Sequence, residues 1–392
     1  MARRADGGLT PAPVAVLAAN RGYALTSSRR LLVEGLLAQG WRVVLATADD
    51  SHARSLVNLG AELDEVRFAR SGLAPWADPA ACLRFRKLLR RHRPRLVHCF
   101  HAKPVILGGL ATRGLEETIV VHTITGLGQA FERPGIRALA AAGYRQALGR
   151  AAATIFQNPD DRDLFLERGW APADRCHLIR GSGVDVERFS PVEKPPASPA
   201  RVLFAARLLW PKGVREFVEA ARILASRWPD VRFQVAGELD PGHPEAVPTD
   251  WLEARAAEGL IDYLGYRPRF EDELRAATVF VVPSYYREGV PRVGLEAAAC
   301  GLPVVAADAP GSRETVAGGE TGLLVPPRDA KALAAAIGEL LADPARAWEM
   351  GREGRNRVEE SFDLRRLTVE QLEIYRAAGA PVEPRLAGSE TA

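Results

Sequence analysis

Short apolar runs alternate along this chain with longer stretches in which leucine, valine and alanine recur at helical spacing. The first run, Pro13–Ala19 (PVAVLAA), reads as a buried strand. Residues Asn20–Ser28 then read as a polar loop containing Gly22. Arg29–Gln39 reads as a helix with Leu32, Leu36 and Leu37 on one side, stopped by Gly40. Arg42–Ala46 is the next strand. The alternation continues with a helix near 51–59, a strand near 62–68, a helix near 78–92 and a strand Arg95–Phe100. A helix near 104–113, a strand Thr118–His122, a helix over about 135–149 and a strand Thr154–Gln157 follow. Residues 190–200 (SPVEKPPASPA) break the pattern with Pro and Ser and read as a linker. It restarts with a strand Arg201–Ala206, a helix near 213–227, a strand Val231–Ala236, a helix near 250–258 and a strand Leu260–Leu264. Strands Ala277–Val282 and Val304–Ala307 then flank a helix Arg292–Cys300, which Gly301 and Pro303 terminate. A strand Gly322–Val325 and helices near 329–342, 344–360 and 364–377 complete the chain. Strands alternating with helices predict parallel sheets. The expected fold is α/β, with two Rossmann-like parallel-sheet domains facing across a cleft. The first spans 13–189, the linker 190–200 and the second 201–362, with a C-terminal helix in 363–379 packing back on the first domain.

Length and composition agree with that division. A chain of 392 residues is too long for one typical core. Charge is uneven: residues 1–190 carry 27 Lys+Arg against 18 Asp+Glu, and residues 191–392 carry 25 against 31. A basic first half suits an anionic substrate or surface. Cys82, Cys99, Cys176 and Cys300 show no paired or metal-binding spacing, which predicts buried thiols in a reducing compartment. Residues 1–12 lack an apolar signal core and read as a short disordered leader, and no apolar run is long enough for a transmembrane helix. These features predict a cytoplasmic protein.

The candidate chemistry concentrates in the second half. The stretch 283–303 (PSYYREGVPRVGLEAAACGLP) places Glu288 in a loop after a strand and Glu296 about one turn inside the next helix. Both can face a ligand over the carboxyl end of a parallel sheet, where open α/β folds bind ligands. Arg207 stands at the end of the strand that opens the second domain, and Lys212 lies near the start of the next helix. Two cations beside a helix N-terminus suit a diphosphate. Neither domain carries G-x-G-x-x-G after its first strand, and there is no G-x-x-x-x-G-K-[ST], so the two common nucleotide fingerprints are absent.

Taken together, Ala206-Arg207-Leu208-Leu209-Trp210-Pro211-Lys212-Gly213 and the spaced pair Glu288 and Glu296 resemble the retaining nucleotide-sugar glycosyltransferases of the GT-B fold, glycosyltransferase family four. Weaker similarities are Val235-Ala236-Gly237-Glu238 and Tyr263-Leu264-Gly265-Tyr266. The loop Thr125-Gly126-Leu127-Gly128 is similar to that of members extending lipid-linked oligosaccharides. The resemblance implies that Arg207 and Lys212 bind and stabilise the departing diphosphate. It implies that Glu288 grips the donor sugar and Glu296 the ribose. Backbone groups of Gly289, Val290 and Arg292 would meet the phosphates, with Pro291 at the first helical position, and Gly265 and Tyr266 would lie near the base. The family often has a Gly-rich turn after the first strand. This chain has only Gly22 there, as its candidate donor contact.

The first half is less specific. His98, His101 and His122 read as lying at strand ends, with Lys103 close by. His101, Lys103, His122 and Gly126 are the acceptor candidates, and His98 reads as core. The run 84–95 (RFRKLLRRHRPR) sets Phe85, Leu88 and Leu89 against a ring of cations. It reads either as a solvated face or as a contact with an anionic membrane or a lipid pyrophosphate through Arg86, Lys87, Arg90 and Arg91. It lacks the interleaved aromatics of a nucleic-acid site, so no nucleic acid is expected. Asp161-Arg162-Asp163 reads as the acidic start of a helix rather than a metal motif. The expected activity is transfer of a hexose or N-acetylhexosamine from a nucleoside diphosphate sugar to a glycan, lipid-linked, at the membrane's inner face in cell-surface polysaccharide or lipopolysaccharide biosynthesis. No cofactor or metal ion is expected. The alternatives are a sugar-nucleotide epimerase or hydrolase on the same plan, and a non-catalytic sugar-nucleotide binding subunit.

Overall fold

A computed structural model describes residues 11–69, 77–128, 134–193 and 199–386. Most of the expected leader lies outside these residues. Two compact units emerge, Met1–Ile179 with Leu364–Ala392, and Arg180–Asp363.

The first unit runs β1 (Val14–Ala18), α1 (Gly22–Ala38), β2 (Arg42–Ala46), α2 (Ser51–Val57), β3 (Glu62–Leu63), α3 (Ala77–His92) and β4 (Leu96–Phe100). It continues with α4 (Ala102–Ala111), β5 (Ile119–Ile124), α5 (Pro134–Leu148), β6 (Ala153–Phe156), α6 (Pro159–Glu167) and β7 (Cys176–Leu178). Its seven strands pair in the order β3-β2-β1-β4-β5-β6-β7, all parallel. Strand order reverses between β1 and β4, where a doubly wound sheet opens a crevice. β1 and β4 are buried along their whole length, as expected of parallel strands covered by helices on both faces.

The second unit runs β8 (Arg201–Ala205), a 3-10 turn Trp210–Lys212, α7 (Val214–Leu224), β9 (Arg232–Ala236), α8 (Thr249–Ala257), β10 (Asp262–Gly265), α9 (Phe270–Ala276) and β11 (Val279–Val282). Then come α10 (Arg292–Ala299), β12 (Val304–Ala307), β13 (Gly322–Val325), α11 (Ala330–Ala342) and α12 (Pro344–Ser361). Its six parallel strands pair in the order β10-β9-β8-β11-β12-β13, which puts the reversal between β8 and β11. Asp329 and Asp343 cap α11 and α12 by accepting from the N–H groups of Ala332 and Arg346.

Several expectations are corrected. The expected loop Asn20–Ser28 is mostly helix, because α1 begins at Gly22. Its cap comes from far along the chain: Asp50 accepts from the Gly22 N–H at 3.0 Å and, with its other oxygen, from the Ala53 N–H at 2.8 Å. One carboxylate therefore starts both α1 and α2, and no local pattern shows it. The strand near 62–68 shortens to Glu62–Leu63 at the sheet edge, while β7 and α9 were not anticipated. The division between units falls after Ile179, ahead of the Pro- and Ser-rich stretch. Residues following it are tied into the second unit: the Val184 N–H donates to Phe362 at 2.9 Å, and the Arg355 guanidinium donates to the carbonyls of Val186 and Phe189.

The last helix, α13 (Leu364–Ala377), belongs to the first unit. Leu367, Leu372 and Tyr375 bury against Leu25, Leu32 and Leu36 of α1. Beneath it, fully buried His98 engages the Tyr375 hydroxyl through Nδ1 and the Thr123 hydroxyl at 2.7 Å through Nε2, and Gln371 donates to the same Tyr375 oxygen at 2.8 Å. Burial pushes the His98 imidazole well below its usual range and lowers that of His122 to about 3. The unfolded chain takes up protons on these rings near pH 6.5, and the folded protein does not. Stability is therefore full above about pH 6.5 and falls below it, by about 1.4 kcal/mol per pH unit for each imidazole. Urea unfolding at pH 7 and pH 5 should show this loss, and replacing His98 with Asn should reduce its slope.

Candidate active site

The second unit gathers the four candidate side chains at the carboxyl ends of β8 and β11, at its strand-order reversal. After β8 the chain enters the turn that carries Lys212, and Gly213 follows with a left-handed φ of +85°. A Cβ there would fall 2.5 Å from the Pro283 carbonyl oxygen, so only glycine allows this turn to lie against the end of β11. The loop after β11 is tied to the same turn. The N–H groups of Tyr285 and Tyr286 both donate to the Pro211 carbonyl, at 3.0 and 3.1 Å, and the Tyr285 hydroxyl donates to that of Trp210 at 3.2 Å. These ties bring Lys212 to Glu288 across 76 positions of sequence: its Nζ lies 2.6 Å from each carboxylate oxygen. Ser284 also donates to Glu288 Oε1, at 2.9 Å.

On the other side, loop 238–247 holds the Arg207 segment. The Leu208 N–H donates to Glu238, the Trp210 N–H to Glu245 and the Val247 N–H to Leu208. Arg207 Nη1 meets Asp240 Oδ2 at 3.3 Å. Gly265 accepts from the Gly237 N–H at 2.9 Å, and the neighbouring Tyr266 is 62% exposed, free to meet a planar ring. Glu296 is largely buried within α10, and its carboxylate is oriented by Arg292 at 2.7 Å. Pro291 is the residue before α10 rather than its first, with extended backbone, and its carbonyl accepts from the Gly294 N–H. Gly289 belongs to the same loop. The Val290 side chain is core, packed in a cluster with Leu295 and Val282, so only its backbone is available to a ligand.

In the first unit the candidates are less assembled. Gly22 is the first residue of α1, and Asp50 already occupies its N–H. His122 is not at a strand end. It lies within β5 with no exposure, and neither ring nitrogen has a partner among the described residues. Lys103 binds both oxygens of Asp78, at 2.8 and 2.9 Å. His101 does stand just past β4, with φ of +70°, unusual for a non-glycine residue and a form of strain that clusters at functional sites. Burial lowers its pKa to about 4, keeping it neutral. Gly126, with φ of +104°, follows β5. On α3, Phe85, Leu88 and Leu89 are buried as expected. Lys87 and Arg90 are exposed and Arg86 is partly so, whereas Arg91 pairs with Asp64 at 2.8 Å. Asn158 caps α6 by accepting from the Asp161 N–H, and Asp161 is buried, which fixes the acidic triplet as a helix start.

Sequence reasoning missed Asp240, whose contact comes from a distant loop, and Ser284. The available signal for Ser284 was its place four residues before Glu288.

The family described as glycosyl transferases group 1 matches residues 199–343, and the glycosyl transferase 4-like domain matches residues 26–182. The chain is 31% identical over 345 residues to the GDP-mannose-dependent alpha-(1-6)-phosphatidylinositol monomannoside mannosyltransferase of Mycolicibacterium smegmatis, covering 78% of this chain and 85% of that one. It is 26% identical over 343 residues to the N,N'-diacetylbacillosaminyl-diphospho-undecaprenol alpha-1,3-N-acetylgalactosaminyltransferase of Campylobacter jejuni, covering 82% and 88%. For several other relatives the chain spans about half of their length. Among solved structures, sucrose-phosphate synthase from Thermosynechococcus elongatus is similar with a TM-score of 0.76 and 26% identity, over 93% of this chain and 98% of that one.

Substituting Gly213 with Ala should strain the backbone and press on Pro283, lowering stability by about 2 kcal/mol or more. A drop in urea midpoint at unchanged slope checks this.

Proposed function

We propose that this chain, which belongs to the group 1 glycosyltransferases and is a glycosyltransferase of the GT-B fold, moves a hexose or N-acetylhexosamine from a nucleoside diphosphate sugar to a lipid-linked glycan, with retention at the anomeric carbon. The observation that carries this reading is the cation–carboxylate pair of Lys212 and Glu288, set beside Arg207 at the strand-order reversal of the second sheet. In transfer, the bond from the sugar's anomeric carbon to the diphosphate breaks and a bond to the acceptor oxygen forms. The acceptor's hydroxyl proton leaves with the departing phosphate. Negative charge grows on the diphosphate, and Arg207 and Lys212 are the fixed charges that meet it, which is why no metal is invoked. Glu288 holds sugar hydroxyls and Glu296 the ribose. Support for a nucleotide donor and a lipid-borne acceptor comes from the names of the two relatives above, one GDP-mannose-dependent and the other acting on a diphospho-undecaprenol.

The same reading places the protein at an anionic membrane surface. No helix among the described residues is long and apolar enough to cross a membrane. On α3, Leu83 is 69% exposed and shares its helix face with Arg86, Lys87 and Arg90, opposite the buried Phe85 and Leu89. An apolar side chain ringed by cations fits an anionic lipid headgroup layer.

Arg207→Ala should lower turnover by about 10²-fold or more at unchanged melting temperature. Lys212→Ala should lower it similarly but also destabilise the fold, because it strips a largely buried carboxylate of its cation. Transfer assays after a thermal-shift screen of UDP-glucose, UDP-N-acetylgalactosamine and GDP-mannose test this. Wild-type rates in Arg207→Ala would remove the diphosphate assignment, and consumption of donor without acceptor would point to hydrolysis or epimerisation. Reversing the charges of Arg86, Lys87 and Arg90 should weaken binding to phosphatidylglycerol vesicles on the order of 10²-fold. Unchanged sedimentation would remove the membrane contact.

A further inference from the structure

Glu288 is held by a frame of hydroxyl groups that no motif announces. Ser284, just past the end of β11, is 3% exposed. Its Oγ–H donates to Glu288 Oε1 at 2.9 Å. Its carbonyl accepts from the Ser312 hydroxyl at 2.8 Å, and the Ser312 carbonyl accepts from the Thr315 hydroxyl at 2.7 Å. Ser312 and Thr315 are buried. Gly311, at φ of +82°, presses this corner against the Glu288 loop: a Cβ there would lie 2.2 Å from the Gly289 carbonyl oxygen and 2.3 Å from that of Glu288. The Gly311–Thr315 segment therefore clamps the acid's backbone, and Ser284 carries the clamp to its carboxylate.

We propose that Ser284, anchored by Ser312, is a positioning residue that sets the orientation of the Glu288 carboxylate for recognition of the donor's sugar ring. The proposal rests on the reading of Glu288 as the sugar-binding acid. Lys212 holds both Glu288 oxygens. A diphosphate competes for the Lys212 ammonium, and as that contact loosens the carboxylate loses a restraint. Ser284 is neutral and buried, and its hydroxyl hydrogen is already given to Glu288. It remains on Oε1 and keeps the carboxylate in the orientation it has here. Its effect acts on the sugar rather than on the nucleotide.

The test measures dissociation constants by calorimetry for UDP against UDP-glucose and GDP against GDP-mannose, in the wild type, Ser284→Ala and Ser284→Thr. In the pair that the wild type binds, Ser284→Ala should leave the nucleoside diphosphate within about twofold and weaken the nucleotide sugar about tenfold. Ser284→Thr, which keeps the hydroxyl, should recover most of that loss. Ser312→Ala should reproduce the sugar-selective loss in part. Equal weakening of both ligands, or none, overturns the proposal while leaving the donor site intact. Failure of the wild type to bind any of the four removes the donor reading itself, and the proposal with it.

Discussion

Lys212 and Glu288 cannot meet unless two loops from different strands are locked together. The backbone does this by directing two successive N–H groups, of Tyr285 and Tyr286, to the single carbonyl of Pro211. Gly213 provides the close approach, because any side chain there would strike Pro283. The result is a short contact between opposite charges at the place where a doubly wound sheet leaves its crevice. A largely buried ion pair is a weak source of stability, since desolvation offsets most of the attraction. It is better understood as a store of oriented charge. Each partner holds the other in one orientation. The Arg207–Asp240 and Arg292–Glu296 contacts repeat the arrangement on either side.

The two units differ in how far their chemistry is assembled. In the second, the candidate groups converge on a few loops with short contacts. In the first, His122 is sealed in the sheet and Lys103 is committed to Asp78, leaving the strained His101 and the Gly126 loop as the features at strand ends.

Much of the fold was legible because parallel strands buried on both faces are continuous apolar runs: Val279–Val282 and Val304–Ala307, buried throughout, fall where the pattern puts them. What local pattern missed depends on distant partners. Asp50 starts α1 from the far side of β2, so Tyr23–Ser28 looked like loop. The end of the first unit was misplaced because Val184 and Phe189 are held by α12 and the residue after it. At the site, Arg207, Lys212, Glu288 and Glu296 stood out by type and spacing. Asp240 and Ser312 did not, since a loop aspartate and a serine carry no signal until folding brings their partners, and Ser284 was marked only by its place four residues before Glu288.

In the proposed division of labour, Lys212 serves the diphosphate and Glu288 the sugar. Binding of GDP and GDP-mannose, or UDP and UDP-glucose, to Lys212→Met and Glu288→Gln separates the two most directly. Lys212→Met should weaken the nucleoside diphosphate and its sugar by the same factor, while Glu288→Gln should weaken only the nucleotide sugar. Loss of nucleoside diphosphate affinity in Glu288→Gln as large as its loss for the nucleotide sugar would contradict the assignment.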